Sequence, residues 1–507
     1  MKSKNDLFRL IRSLSKSEKR YFKLFSTVYV SREKSNYIQL FDAIEKQKEY
    51  NEEEIITAFS KENFTNRFPV AKDYLYRLIL KSLRLYNIEK SAETQVRAYL
   101  DDIRILYEKG LYPQCKEILE KAGQIADRNE LFPEIIQVIS WTKRILADDV
   151  KSGIPNEDLD KILNREIQVL EKQKNFSEYQ NLSFKMVFFF AHNGFVRNKK
   201  DIEFLNNIQS HVLLKKEDSA LSFRAQDLFF HINGGYHGLK GEFEKAYTYL
   251  TKEIELWEKH PEKIHDFTMR YIGVLGNYLD NISHDRIHEM PEAIEKLKKI
   301  TPHSHQVETK RFTVLYENLL SYHIKKGNYS EGLKLIPEIE EGLKTYRGEI
   351  NKQRELNFYL LIFNLHFGEC QYSKALKWLN NILNTREDST REDIHCFAKI
   401  ISLIVHYELG NTELLDSLIR STYRYLSQRK KLYKGETFVI EYIKKLLRAA
   451  GNADPIQSFI ELRDKLVSLQ EDPFERVVFY YFNFIVWLES KIGRKSFAEI
   501  IRTNAAT

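Results

Sequence analysis

TKRFTVLYENLLSYHIKKGNYSEGLKLIPEIE, residues 309–340, contains one complete structural unit. Phe312, Leu315, Tyr316, Leu319, Tyr322 and His323 follow i, i+3, i+4 spacing and place one apolar face on a helix. Gly327 then ends that helix, because glycine enters the left-handed C-cap conformation without a Cβ penalty. Tyr329, Gly332, Leu333 and Ile336 begin a second apolar face, and Pro337 kinks or shortens the helix that carries it by removing a backbone donor. The reading is helix, turn, helix: a hairpin whose apolar side needs a neighbour to cover it.

Neighbours follow at a near-constant step. Glycine stands at Gly110, Gly153, Gly194, Gly241, Gly327, Gly368, Gly410, Gly451 and Gly493, at intervals of 43, 41, 47, 86, 41, 42, 41 and 42 residues. The 86 is two steps with the missing turn near Ser283 and His284. A period of this size predicts stacked supersecondary units, an all-α solenoid over residues 91–507 of about ten hairpins with a period of about 42.

The turns carry a finer signature: GLYPQC at 110–115, GEFEKA at 241–246 and GNYSEG at 327–332, each glycine, any residue, aromatic, two residues, small residue. Tyr372 and Ala375 repeat the tail two residues late after Gly368. The aromatic fills the space between the helices, and Cys115, Ala246, Gly332 and Ala375 let them approach. This resembles the tetratricopeptide-repeat family. Leu275-Gly276-Asn277 looks like that family's first-helix core, and Gly234 holds the matching place seven residues before Gly241. The period departs from the family's ~34 residues by about one helical turn on each helix. A HEAT-like or armadillo-like array fits the period better but leaves the aromatic-x-x-small pattern unexplained. The resemblance implies a right-handed superhelix whose first helices line a concave surface. On those helices Asn233, Asn277 and Asn318 are candidate ligand-binding residues, since an amide supplies both a donor and an acceptor to a peptide backbone.

Composition narrows the classes. Few turn residues (19 Gly and 10 Pro in 507) and no Val/Ile/Thr alternation argue against sheets. Cys115, Cys370 and Cys396 lie far apart and form neither a disulfide framework nor a Cys-x-x-Cys, which fits a reducing, cytoplasmic setting. The N-terminus lacks the apolar region of a signal peptide. The longest apolar run, 477–488 interrupted by Asn483, is too short for a bilayer span and reads as a buried helix in a late unit, so no membrane partner is expected.

Residues 1–90 differ from the rest. They hold 19 Lys+Arg against 12 Asp+Glu, while the remainder balances at 60 each, so the net +7 arises here. They also lack glycine and contain only Pro69. We read a separate basic helical domain, a cap or a helix-turn-helix-like module. Ser15-x-x-Glu18 forms a capping box, Asn51-x-x-Glu54 opens another helix, and Pro69 suits the first turn of a long helix to about Tyr86. Arg77, Lys81 and Arg84 make one basic stripe on it. The stripe either contacts nucleic acid or packs on acidic residues such as Asp101 and Asp102; the short linker to the first unit favours the cap.

Chemistry-bearing constellations are sparse. Six of 14 histidines fall between 260 and 305: His260, His265, His284, His288, His303 and His305. His284 and His288 at i, i+4 suit one metal, but no HExxH or cysteine partner accompanies them, and surface or capping roles are expected. Gly234, Gly235, Gly238 and Gly241 end a helix instead of following a strand, so close helix packing, not phosphate binding, is expected. No nucleophile elbow or P-loop occurs. The expectation is therefore a non-catalytic protein- or peptide-binding scaffold without cofactor or metal. The alternative is a DNA-binding transcriptional regulator in which residues 1–90 meet nucleic acid and the array senses a peptide or protein.

Overall fold

The computed structural model describes residues 5–29, 36–88, 91–148, 156–385, 391–448 and 455–506, and among these it is helical without strands. The turns expected at Gly153 and Gly451 lie outside the described residues. The chain divides into two compact units, Met1–Gln173 and Lys174–Thr507.

In the first unit the helices are α1 (Asp6–Ser13), α2 (Lys16–Tyr29), α3 (Asn36–Lys46), α4 (Glu52–Ala58), α5 (Phe68–Tyr86), α6 (Ala92–Glu108), α7 (Tyr112–Arg128) and α8 (Phe132–Asp148). Leu7, Ile11, Phe22, Phe41, Leu75 and Ile79 belong to one buried cluster built from α1–α5 alone. The predicted starts are present. Ser15 N–H donates to Glu18 Oε2 at 2.8 Å while Glu18 N–H donates to Ser15 Oγ at 3.2 Å. Asn51 accepts from Glu54 N–H at 3.2 Å, and Pro69 sits in the first turn of α5. Beyond α5, α6, α7 and α8 pack against one another. Gly110 (φ +71°) makes the α6–α7 turn and Glu130 (φ +49°) takes the left-handed position after α7.

Helix α9 (Asn156–Asn193) contains the division between the units. The glycine ladder predicts a hairpin between Gly153 and Gly194, but one 38-residue helix occupies the interval. The reason is in its composition: residues 156–193 contain no glycine or proline to break it.

The second unit continues with α10 (Lys199–Gln209), α11 (Phe223–Leu239), α12 (Phe243–Glu258), α13 (Pro261–Asp266), α14 (Thr268–Asp280), α15 (Met290–Lys299), α16 (His305–Lys325), α17 (Tyr329–Leu333) and α18 (Ile336–Thr345). Then come α19 (Lys352–Gly368), α20 (Tyr372–Leu383), α21 (Glu392–Glu408), α22 (Thr412–Gln428), α23 (Lys434–Arg448), α24 (Pro455–Val467), α25 (Val478–Tyr481), α26 (Phe484–Gly493) and α27 (Phe497–Ala506). Consecutive helices pair as α11–α12, α16–α17, α19–α20, α21–α22 and α23–α24, while α14, α16 and α19 pack side by side in series. Pro337 has its expected effect: the second helix of the quoted unit is split into α17 and α18.

Gly194, Gly241, Gly327 and Gly410 have φ of +68° to +71° and make their turns as expected. Gly368 ends α19 as a helical residue, and Cys370 (φ +54°) enters the left-handed region instead. That displacement accounts for the two-residue delay of Tyr372 and Ala375. Gly493 likewise ends α26 and passes the left-handed conformation to Arg494 (φ +51°). The apolar run 477–488 is not one helix. Phe482 is extended and Asn483 caps a new start by accepting from Val486 N–H at 3.1 Å.

The C-terminal segment also reaches back to earlier turns. Arg476 donates to the Lys240 carbonyl. The Tyr480 ring packs edge-on to Phe195 and Phe243. Arg502 Nε donates to Gly327 O at 3.0 Å, and Phe497 meets Tyr329. The turn aromatics Phe243 and Tyr329 therefore touch the C-terminal helices as well as their own hairpins. A Cβ on Gly241 would lie 2.4 Å from the Tyr480 hydroxyl, so this turn needs glycine for space as well as for φ.

Candidate ligand-binding groove

The second half of α9 is fixed against the start of α11 by side chains that hold backbone. Asn175 Nδ2 donates to Ser219 O at 2.9 Å and its Oδ1 accepts from Leu221 N–H at 3.0 Å. Tyr179 donates to Leu213 O at 2.7 Å. Ser222 caps α11, accepting from Ala225 N–H at 3.2 Å. With Leu182, Met186 and Phe189 turned to the core, α9 presents Phe184, Val187 and Phe188 outward at 68%, 56% and 55% exposure.

Between this face of α9 and the helices α11–α14 lies a cavity of about 550 Å³. Phe176, Phe184 and Val187 form one wall, and Phe223, Leu228, Trp257 and Phe267 the other. Gln180, Asn181 and Ser183 add polar groups on the α9 side. Two guanidinium groups line it. Arg224 lies 4.2 Å from the Phe176 ring centroid. Arg270 donates from Nε to Asp227 Oδ2 and from Nη2 to Glu253 Oε1, both at 2.7 Å. Trp257 Nε1 donates to Asp227 Oδ1 at 2.7 Å, so both Asp227 oxygens are engaged. Glu253 is fully buried, and burial raises its pKa well above the usual carboxylate range.

His231, one turn beyond Asp227, has Nδ1 3.3 Å from Asn277 Nδ2. Its pKa is pushed down to about 3, first by desolvation and then by the Arg270 charge, with Lys310 adding to this and Asp227 opposing it. The neutral imidazole is therefore the folded form. Because its folded pKa lies below the ordinary value near 6.5, His231 contributes a stability term that is complete above pH ~6.5 and lost as pH falls from there toward 3. We expect its imidazole proton shifts to stay flat from pH 8 to about 5 in NMR titrations. A His231 midpoint near 6.5 would contradict this burial account.

The polar contacts continue along the first helices. Lys310 of α16 donates to Met269 O of α14 at 2.7 Å, and burial, Arg270 and Arg354 push its pKa down to about 8. Glu317 of α16 is 3% exposed, pairs with Arg354 of α19 and accepts from Asn357 Nδ2 at 3.0 Å.

The structure separates the three asparagines read from the sequence. Asn233 is fully buried, donates to Phe229 O at 2.9 Å and accepts from Gln209 at 2.7 Å. Asn318 is 1% exposed, donates to Val314 O at 2.9 Å and leaves its buried Oδ1 without a hydrogen bond. Asn277 is half-buried beside His231 and does not line the cavity. Asp227, His231, Arg270 and Trp257 went unremarked in the sequence. Their signal was Asp227 beside the apolar Leu228, Phe229 and Phe230, 43 residues before Arg270.

Elsewhere, Arg77, Lys81 and Arg84 are all exposed on α5, and Arg77 pairs with Asp73 at 2.9 Å. The stripe lies opposite the buried Leu75, Leu78 and Ile79, while on α6 Asp101 bonds Arg104 of its own helix and both Asp101 and Asp102 are exposed. His284 and His288 fall in a 3-10 segment, His284–Glu289, where i, i+4 residues do not share a face. Among the described residues no group of three or more His, Cys, Asp or Glu is placed to hold a metal ion. Within α11 each glycine of the stretch faces a different neighbour: a Cβ would meet Leu250 of α12 at 2.8 Å on Gly234, Met186 of α9 at 2.9 Å on Gly235 and Asn281 at 2.7 Å on Gly238. No described helix is long and apolar enough to cross a membrane. Neither protein-family models nor curated proteins give a match to this chain.

Proposed function

We propose that residues 91–507 are a tetratricopeptide-like, right-handed array of about ten helical units, by the count of the glycine ladder, and that it serves as a non-catalytic scaffold binding a protein or peptide along its first helices. One observation carries this reading: side-chain hydrogen bonds recur between residues one period apart. Asp227–Arg270 are separated by 43 residues, Tyr247–Glu289 by 42, Lys310–Met269 by 41, Lys325–Ile282 by 43 and Glu475–Lys434 by 41. Equivalent positions of successive units thus meet, as stacking requires. Such stacking presents a long preformed surface, which lowers the ordering cost of binding. The three cysteines are free thiols, in keeping with a reducing cytoplasmic setting.

The test is site-specific photo-cross-linking in the full chain from the native cell. A probe at Met269, 37% exposed beside Arg270, is expected to capture a discrete partner that one at Leu414, 47% exposed on α22, does not. Equal labelling from both positions would refute the groove.

A second reading has its own support. The three exposed cations on α5, together with the +7 charge of residues 1–90, suit a regulator that binds DNA through this region. If it does, replacing Arg77, Lys81 and Arg84 by glutamine lowers the slope of log affinity against log salt by roughly 2–3, at ~0.9 per phosphate contact. A gel shift by the full chain over a salt series measures this, and an unchanged slope removes these residues from any nucleic-acid interface.

A further inference from the structure

We infer that the connection between α24 and α26, residues 468–483, is a built-in occupant of the array: seated, it closes the face of α19 that continues the proposed groove, and its release opens that face to a partner segment. The inference rests on the reading of the first helices as a binding surface and adds a regulation to it.

Length is the first sign. Helices α24 and α26 pack on each other as a hairpin, yet residues 468–483, 16 in all, join them, where 240–242, 369–371 and 409–411 suffice for α11–α12, α19–α20 and α21–α22. Connections beyond about 12–15 residues are uncommon in compact domains and usually carry function. A hairpin in a solenoid contacts its neighbours alone, whereas this segment meets helices far from it in sequence. Phe474 packs on the buried cluster of α9–α11, and Arg476 donates to Lys240 O at the α11–α12 turn. Glu475 accepts from Lys434 N–H and Gly435 N–H at the start of α23, each at 3.0 Å. The Tyr481 ring lies 4.9 Å from that of Phe397 on α21, and Phe482 meets Phe367 of α19 edge-on at 4.8 Å.

The segment is held as a bound peptide is held. Asn364 Nδ2 donates to the Tyr481 carbonyl at 3.2 Å, an amide clamp on backbone. Asn364 stands two turns beyond Asn357 on α19 and so shares the face on which Asn357 bonds Glu317 of α16. The backbone is extended at Phe482 (φ −157°, ψ 138°), and the Tyr481 hydroxyl is taken up by Arg391 and Asp393. The seat is also imperfect. Among the described residues the buried Arg476 Nε and Tyr480 hydroxyl make no hydrogen bond, a cost that a permanent core avoids. Both lie against the Gly241 turn, where a Cβ would stand 2.8 Å from Arg476 Nε and closer still to the Tyr480 hydroxyl. Val478 and Phe482 are 1% and 2% exposed, so release is a concerted opening of the whole segment, not fraying. The partner that replaces it carries the same chemistry: an extended stretch with adjacent aromatic residues, its backbone on Asn364 and its rings against Phe397 and Phe367.

Hydrogen exchange of the full chain, read by mass spectrometry, tests this. Residues 474–482 are expected to exchange at least about tenfold faster than α21, through an opening that depends little on urea, because a local opening exposes little surface. Gly241→Ala is expected to speed the segment by about a further tenfold, since the added Cβ pushes on Arg476 and Tyr480. Gly410→Ala is the control: it strains the same left-handed conformation (φ +71°) with nothing within 4 Å of the new Cβ, and it leaves the segment unchanged. Asn364→Ala removes the clamp on Tyr481 without touching the turn, and is expected to speed the segment likewise should Gly241→Ala prove unstable. A labelled synthetic peptide of residues 474–483 is expected to bind the Gly241→Ala protein about tenfold more tightly than the wild type. The proposal is overturned if 474–482 and α21 exchange together with the steep urea dependence of global unfolding, if both glycine variants change the segment alike, or if the peptide binds the variant no more tightly than the wild type. The Met269 cross-link on α14 decides the groove reading separately, so a failure here leaves that reading intact.

Discussion

Replacing Arg391 with methionine is expected to remove about 3–5 kcal/mol of stability, the usual cost of leaving one partner of a buried ion pair alone. Arg391 is 6% exposed and donates from Nε and Nη2 to the two oxygens of Asp393 at 2.9 and 3.0 Å. Its Nη2 also reaches the Tyr481 hydroxyl at 3.1 Å, and Tyr481 in turn bonds Asp393. The guanidinium lies 4.9 Å from the Phe190 ring centroid, and Arg391 N–H donates to Ala191 O at 3.3 Å. One side chain therefore ties the end of α9 to the start of α21 and to α25. Burial alone would push the Asp393 carboxyl up, but the Arg391 charge holds it below the usual range. In the native protein this term is present above about pH 3.9 and is lost as pH falls through the lower folded value. Without Arg391 the main opposition to burial is gone and only the hydrogen bonds from Tyr481 and Ile394 N–H remain, so the carboxyl shifts upward and the variant's deficit should be smaller at pH 5 than at pH 7. Urea unfolding at both pH values measures this. A loss under about 1 kcal/mol, or a deficit that grows on acidification, would contradict the account.

Ala375→Phe and Ala246→Phe are each expected to cost about 1–3 kcal/mol by overpacking. Both alanines are fully buried at the place where the second helix of a hairpin crosses the first. The equivalent position in the hairpin before that of Ala375 shows how little room exists: a Cβ on Gly332 would lie 3.2 Å from His323 Cβ on the first helix of its hairpin and 2.6 Å from Leu365 Cδ2 of α19. A close-packed interior cannot accept a ring there without shifting a helix. Thermal melts that match the wild type in both variants would show that the turn pattern does not mark helix contact.

Local backbone rules made much of this protein legible in its sequence. A glycine needed at φ near +70° is visible as a glycine, and so Gly110, Gly194, Gly241, Gly327 and Gly410 were found from spacing alone. The Ser15 and Asn51 caps and the break at Pro337 were readable for the same reason, since each satisfies or removes a hydrogen bond within four residues of itself. Period arithmetic misled where a glycine was present but its neighbour took the turn, as at Cys370 and Arg494, and where no breaker interrupted α9.

The candidate site was legible only in pieces. Of the three asparagines, which stand 8, about 7 and 9 residues before their turns, Asn277 is half-buried beside His231, while Asn233 and Asn318 are buried. A residue's exposure depends on which neighbouring helix covers it, and a nine-residue offset on a helix turns its face by a large angle relative to seven. The Asp227–Arg270–Glu253 network needs three helices to meet, and the Arg391–Asp393–Tyr481 cluster joins residues 88–90 positions apart. Sequence by itself determined the helices, their caps and most of their turns, because those depend on interactions within a few residues. Tertiary structure alone decided which charges are buried, which aromatic face stays open and where the C-terminal helices return, because each of these is settled by side chains that meet only when distant segments pack.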